Sequence, residues 1–321
     1  MDSQSPPQAL QEPELRWLTV GGPAAAHGGA RRLAYWDWAC SEQSSPHVVI
    51  CVHGLSRQGR DFDSLARHLS AFARVVAVDV AGRGHSDWLA DPMQYQVATY
   101  VADLTALVHS IRGARADSRI DWVGTSMGGL VGMALAAQPA VGLCRLVLND
   151  VGPVIQWSAL QRIGSYLGQD PVFPTRADAY RYLASVSAGF GVHTAQAWAA
   201  LSQHMLRERP GGFGLHYDPA IAQPLRAMLG SDNPSAVQDL IRGSNAHLWQ
   251  LYEAIACPTL LLRGAESDLL NEETALAMTE RGPRARLLQF QGVGHAPTLV
   301  ASDQVAAVCG FLRAPAAEPA E

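Results

Sequence analysis

Residues Gly124-Thr125-Ser126-Met127-Gly128 set a serine between two glycines, with the apolar run Ile120, Trp122 and Val123 before it. Leu130, Val131, Met133, Ala134, Leu135, Ala136 and Ala137 follow as a nearly all-apolar helical stretch that Gln138-Pro139 ends. A serine hydroxyl becomes a competent nucleophile when a sharp turn exposes it to a base and to backbone N–H groups that can hold an oxyanion. Small residues on either side make such a turn possible, because a side chain there would crowd the neighbouring strand and helix. In a chain with 29 glycines the bare spacing also arises by chance, so the strand before it and the helix after it carry the identification.

A serine nucleophile needs a base, and position must choose among 11 histidines. His295 stands in Q-G-V-G-H-A-P-T-L, between the last strand-like run and the final helix, where Gly292 and Gly294 let a loop reach over a sheet edge. For the orienting acid, Asp268 in L-L-R-G-A-E-S-D-L-L is preferred, giving the order serine, acid, histidine. Glu266 in the same loop and Asp150, which follows the strand-like Leu143 to Asn149, remain as rivals. Two backbone donors complete the chemistry: the N–H of Met127 and that of Leu55, where Gly54 in V-I-C-V-H-G-L-S-R-Q lets the backbone approach a substrate carbonyl. The glycine loop Asp79 to Trp88, D-V-A-G-R-G-H-S-D-W, lacks the third glycine of a dinucleotide fingerprint and any G-K-[ST], and is read as a fixed-shape loop beside the site.

The elements that must position these groups alternate along the chain. Strand-like runs lie at Arg31 to Trp38, His47 to Val52, Arg74 to Val80, Ile120 to Gly124, Leu143 to Asn149, Thr259 to Arg263 and Arg286 to Phe290. Asp61 to Phe72, Val97 to Ile111, Met127 to Gln138 and Ser302 to Leu312 space their apolar residues as crossover helices do. Continuous apolar strands such as V-V-I-C-V fit a parallel sheet buried on both faces. Val154 to His247 interrupts the alternation with helix-like pieces and no convincing strand pair, and is read as a helical insertion. The expected domains are a core of 14–153 and 248–313, a cap of 154–247, and disordered tails at 1–13 and 314–321.

Composition narrows the class. The 321 residues are 48% hydrophobic and 17% charged, and a formal charge of −5 without acidic or basic blocks gives no reason to expect a nucleic-acid partner. No apolar run reaches the roughly 18 residues of a membrane span, and the first residues lack a secretory pattern, so a cytoplasmic location is expected. Five scattered cysteines fit buried thiols better than disulfides, and no C-x-x-C or H-E-x-x-H suggests a metal.

With V-H-G-L, D-V-A-G-R-G-H-S-D, V-G-T-S-M-G-G-L, L-L-R-G-A-E-S-D-L-L and G-V-G-H-A-P in order, the chain from about Leu18 to Leu312 resembles the capped α/β-hydrolase fold family. It is most similar to the carboxylesterase, enol-lactonase and meta-cleavage-product hydrolase group. That resemblance implies an α/β fold with a mostly parallel eight-stranded sheet, helices on both faces and an inserted helical cap. It also implies a Ser126-Asp268-His295 triad, an oxyanion hole at Leu55 and Met127, and no cofactor. The expected activity is hydrolysis of a small-molecule carboxylic ester or lactone through an acyl-enzyme, with a homo-oligomer left open. A C–C bond hydrolase of ring-cleavage products or an enol-lactonase is the alternative; the C–C bond hydrolase would need basic groups such as Arg162, Arg176 and Arg181 for a dicarboxylate. A ligand-binding module with an idle triad is the alternative from another class.

Overall fold

The computed structural model describes residues 12–21, 29–42, 44–231 and 233–314. Most of the two segments expected to be loose tails lies outside these residues. Eight strands form one sheet: β1 (Glu14–Val20), β2 (Arg31–Trp38), β3 (His47–Val52), β4 (Arg74–Asp79), β5 (Arg119–Thr125), β6 (Arg145–Asn149), and, after the insertion, Thr259–Gly264 and Arg286–Phe290. The insertion holds a separate hairpin, β7 (Leu206–Arg209) and β8 (Gly212–Leu215), so the last two sheet strands are β9 and β10. The sheet order is β1-β2-β4-β3-β5-β6-β9-β10. β2 runs antiparallel to β1 and β4, and every other neighbouring pair is parallel.

Alternation along the strands builds two cores. Val48, Ile50, Val52, Ile120, Trp122, Leu146 and Leu148 face α2 (Val97–Ala114) and α3 (Met127–Ala136), while Val49, Cys51, Val123, Val147, Leu260 and Leu262 face the opposite layer. There α1 (Asp63–Leu69) supplies Leu65 and Leu69, and the chain's last helix, Ser302–Arg313, supplies Val305, Val308 and Leu312. All six residues of β3 are buried, as the apolar run anticipates for a strand covered on both sides. β1 alternates around its exposed edge and has no continuous apolar run, so the sequence pattern missed it.

Between β6 and β9 lie α4 (Trp157–Tyr166), α5 (Arg176–Val186), α6 (Ala195–Ser202), α7 (Gln223–Leu229) and α8 (Pro234–Glu253), followed in the core by α9 (Glu272–Glu280) and the final helix α10. Two expectations need correction here. The segment does contain a strand pair, because Pro210-Gly211, with Gly211 at φ +88°, closes a two-residue turn between Arg209 and Gly212. Four-residue strands rich in arginine and glycine give no apolar alternation to read. The expected boundary at 247/248 falls inside α8, a single unbroken helix of 20 residues. Among the described residues, no helix is long and apolar enough to cross a membrane.

Candidate active site

Ser126 sits where β5 ends and α3 begins, with φ +52° and ψ −115°, a strained conformation for any residue but glycine. Backbone crowding explains the flanking glycines. A Cβ on Gly124 would lie 2.3 Å from the Gly128 carbonyl oxygen, and one on Gly128 would lie 2.0 Å from the Val52 carbonyl oxygen. The strain is held by bonds on both sides: the Ser126 N–H donates to the Asn149 carbonyl at 2.9 Å, and the Ser126 carbonyl accepts from the Gly129 and Leu130 N–H groups.

His295 reaches this serine from the loop after β10. Its Nε2 lies 2.9 Å from Ser126 Oγ and its Nδ1 lies 2.7 Å from Asp150 Oδ2. A carboxylate can only accept, so Nδ1 carries the proton and Nε2 is left to accept from the serine hydroxyl. Asp150 is fully buried at the end of β6, at φ +57°, with its N–H donating to the Leu262 carbonyl of β9. Its Oδ1 accepts the Gly264 N–H at 2.8 Å, and Oδ2 also accepts the Ser267 hydroxyl at 2.6 Å. Three donors on one buried carboxylate fix its direction.

The structure pairs His295 with Asp150 in place of the expected Asp268. Asp268 does not hydrogen-bond His295; its carboxylate takes a two-pronged ion pair from Arg162 of α4, at 2.6 and 2.9 Å. The reason is local. In the loop after β9, Ser267 turns inward and is buried, which leaves its neighbours Glu266 and Asp268 exposed. Burial raises the Asp268 carboxyl, but the bond and charge of Arg162 and the charge of His295 together hold it below its usual value. Chain order could not separate the candidates, since Asp150 also falls between the serine and the histidine. The signal lay in the strand end L-V-L-N-D, one place beyond β6 and directly beside the strand that runs into Ser126.

The two expected oxyanion donors also fall at this point. Among the described residues, neither the Leu55 nor the Met127 N–H donates to a protein acceptor, and Leu55 and Ser126 line the same pocket. The loop is set by His53, which is buried: Nδ1–H donates to the Gly54 carbonyl at 2.7 Å, and Nε2 accepts the Val80 N–H at 3.0 Å. Burial pushes this imidazole down to about 3, so it stays neutral with both nitrogens engaged.

Sequence reasoning missed two supporting side chains, Arg83 and Asn149. Arg83, fully buried in the glycine loop, donates to the carbonyls of Leu55 and Ala81 and to the Tyr100 hydroxyl, and its Nη2 lies 3.8 Å from Met127 Sδ. It braces both residues expected to supply oxyanion donors. Asp79 shapes the same loop by accepting the Gly59 and His85 N–H groups, and burial raises its carboxyl to about 6. Asn149 Nδ2 donates to Thr125 Oγ1 at 3.0 Å and to the Pro297 carbonyl at 2.8 Å, tying the serine turn to the histidine loop. Nothing in the sequence marks an asparagine at a strand end as such a clamp.

The pocket over Ser126 is walled by Ile163, Leu183, Val186, Phe190, Met205 and Leu215 from the insertion, with Tyr166, Tyr182 and Tyr217 among them. Of the three arginines considered as dicarboxylate ligands, only Arg162 lines it. Arg176 lies over the Phe213 ring, and Arg181 is exposed and paired with Asp178.

Comparison with known proteins agrees with this architecture. Residues 49–308 match the model of the alpha/beta hydrolase family. The chain is 42% identical to a 3-hydroxybutyrate-oligomer hydrolase of Cupriavidus necator over 92% of its own length and 96% of that protein's. It is 27% identical to a pimeloyl-[acyl-carrier protein] methyl ester esterase of Xanthomonas campestris, covering 81% of this chain and 92% of the relative. Among solved structures, an alpha/beta hydrolase from Novosphingobium aromaticivorans superposes with a TM-score of 0.78 at 34% identity, covering 95% and 99% of the two chains.

Proposed function

The chain belongs to the alpha/beta hydrolase family and is a carboxylic ester hydrolase, and from that premise we propose that it cleaves short oligoesters of a hydroxy acid through an acyl-enzyme on Ser126. The observation that carries the mechanism is the continuous chain Ser126 Oγ to His295 Nε2, and His295 Nδ1 to Asp150 Oδ2, at 2.9 and 2.7 Å. What supports the substrate class is the relative active on 3-hydroxybutyrate oligomers, which matches this chain nearly end to end.

In the first step the Ser126 hydroxyl passes its proton to His295 Nε2 as Oγ bonds to the ester carbon. Asp150 stabilises the imidazolium that results. The carbonyl oxygen becomes an oxyanion facing the N–H groups of Leu55 and Met127, which Arg83 and His53 hold in place. The carbon–oxygen bond of the ester then breaks, and the leaving alkoxide takes the proton from His295. A water activated by the same nitrogen attacks the acyl-enzyme, releases the acid and restores Ser126. Asp150, rather than Asp268, is the orienting acid in this reading. The insertion acts as the cap that supplies the pocket wall.

Turnover of 3-hydroxybutyrate dimer and trimer by the wild-type protein and by Ser126→Ala tests the reading. Release of monomer that disappears in the variant is expected. Cleavage of p-nitrophenyl esters with no turnover of either oligomer would reject the substrate class while leaving the esterase chemistry intact.

A further inference from the structure

An oligoester of a hydroxy acid differs from an ordinary ester in one respect that a protein can read: one end is a free carboxylate. Most of the wall above Ser126 is apolar, and a carboxylate entering it must exchange water for a cation. The residues lining this pocket include two guanidinium groups, Arg57 and Arg162, and no aspartate or glutamate.

The two arginines are held differently. The Arg57 side chain is only 9% exposed, and its Nε and Nη2 donate to Asp61 at 2.6 and 2.8 Å while Nη2 also donates to the Leu201 carbonyl at 2.8 Å. With its guanidinium also 5.6 Å from the Phe190 ring, it is built into the joint between core and insertion. Arg162 projects from α4 and is 40% exposed; its partner Asp268, 44% exposed, lies outside the pocket lining. An ion pair this open to water is held weakly and exchanges partners at little cost. Its geometry nonetheless shows what the guanidinium accepts, a carboxylate docked on two parallel N–H groups. Tyr166, one turn further along α4, is close enough to share the guanidinium and also lines the pocket.

We propose that Arg162 binds the free carboxylate end of the oligoester, and that Asp268 is the internal anion occupying this site until substrate replaces it. The inference rests on the oligoester reading given above. It makes the protein selective for oligomers with an ionised acid end over the same oligomers capped as methyl esters. It also gives Asp268, which the geometry removes from the triad, a role in substrate selection.

The test compares kcat/KM for 3-hydroxybutyrate dimer and trimer as free acids and as methyl esters, in the wild-type protein, Arg162→Gln, Arg57→Gln and Asp268→Asn. Arg162→Gln should reduce the acid-to-ester ratio about 10- to 100-fold, chiefly through KM for the acid. Asp268→Asn, which removes the competing anion, should lower KM for the acid several-fold; if Arg162→Gln does not fold, this variant carries the test alone. An unchanged ratio in Arg162→Gln, a ratio that moves only in Arg57→Gln, or an unaltered acid KM in Asp268→Asn overturns the proposal. If the wild type cleaves p-nitrophenyl butyrate but neither form of the oligomers, the oligoester reading itself has failed and this proposal falls with it.

Discussion

Replacing Asp150 by asparagine separates the two acids that compete for the triad. The Asp150 carboxylate receives three donors: the His295 Nδ1–H, the Ser267 hydroxyl and the Gly264 N–H. An amide has one oxygen and one NH2 group. With its oxygen on Gly264, the NH2 opposes the His295 Nδ1–H, and the imidazole must move its proton to Nε2, where it can no longer accept from Ser126. With the amide reversed, the NH2 opposes the Gly264 N–H in a site with no solvent access, because Asp150 is fully buried. The second arrangement would keep the base but leaves a buried N–H unpaired, so the first is favoured, and it removes the oriented neutral base. The expected loss in kcat is about 10³- to 10⁴-fold, equivalent to about 4–5.5 kcal/mol of transition-state stabilisation. Asp268→Asn breaks only a pair whose two side chains are 40% and 44% exposed, worth about 0–1 kcal/mol, so kcat on a neutral ester should fall at most about fivefold. The assay is p-nitrophenyl butyrate hydrolysis by each variant, with a melting curve to establish that each is folded. A folded Asp150→Asn that keeps more than about a tenth of wild-type kcat, or a thousandfold loss in Asp268→Asn instead, refutes the assignment.

Three further outcomes follow from the same geometry. Asn149→Ala leaves Thr125 Oγ1 and the Pro297 carbonyl without their shared donor, and should reduce stability by about 1–3 kcal/mol in denaturant titration and slow kcat about tenfold or more; unchanged kcat would show that the clamp does not position His295. Gly128→Ala sets a methyl 2.0 Å from the Val52 carbonyl oxygen, and should lower stability by about 3 kcal/mol or more, whereas a normal melting temperature would mean that the turn can open without cost. Burial lowers folded His53 to about 3 and His216 to about 4, so as pH falls below 6.5 the unfolded chain takes up protons that the fold refuses; Asp79, raised to about 6, takes its proton in the fold first and offsets one of the two. Between about pH 6 and pH 4 these groups leave a net loss of about 1.4 kcal/mol per pH unit, and a melting temperature that holds steady or rises as pH falls through that window contradicts it.

The parts of this site legible in the sequence are those fixed by local rules. Ser126 announces itself because strand, glycine turn and apolar helix adjoin in the chain, and His295 because a glycine loop separates the last strand from the last helix. Leu55 and Met127, the proposed oxyanion donors, are suggested by backbone position alone, next to Gly54 and Ser126. The acid was harder to read because it depends on the sheet. Whether Asp150 or Asp268 lies under the imidazole is decided by β6 lying between β5 and β9, and by Ser267 turning inward where Asp268 turns out. Arg83 and Asn149 were hidden for the same reason: their partners, Leu55 and Pro297, lie far off along the chain. β1 and the β7–β8 hairpin escaped notice because edge strands and short polar strands have no buried face to impose alternation.

The most direct measurement is to mix the wild-type protein with 3-hydroxybutyrate dimer, quench in acid during turnover, and map the digested protein by mass spectrometry. A hydroxybutyryl group on the peptide carrying Ser126, absent from Ser126→Ala, is the expected result. Efficient turnover with no acyl adduct at any time point, or an adduct on a different residue, would contradict Ser126 as the nucleophile.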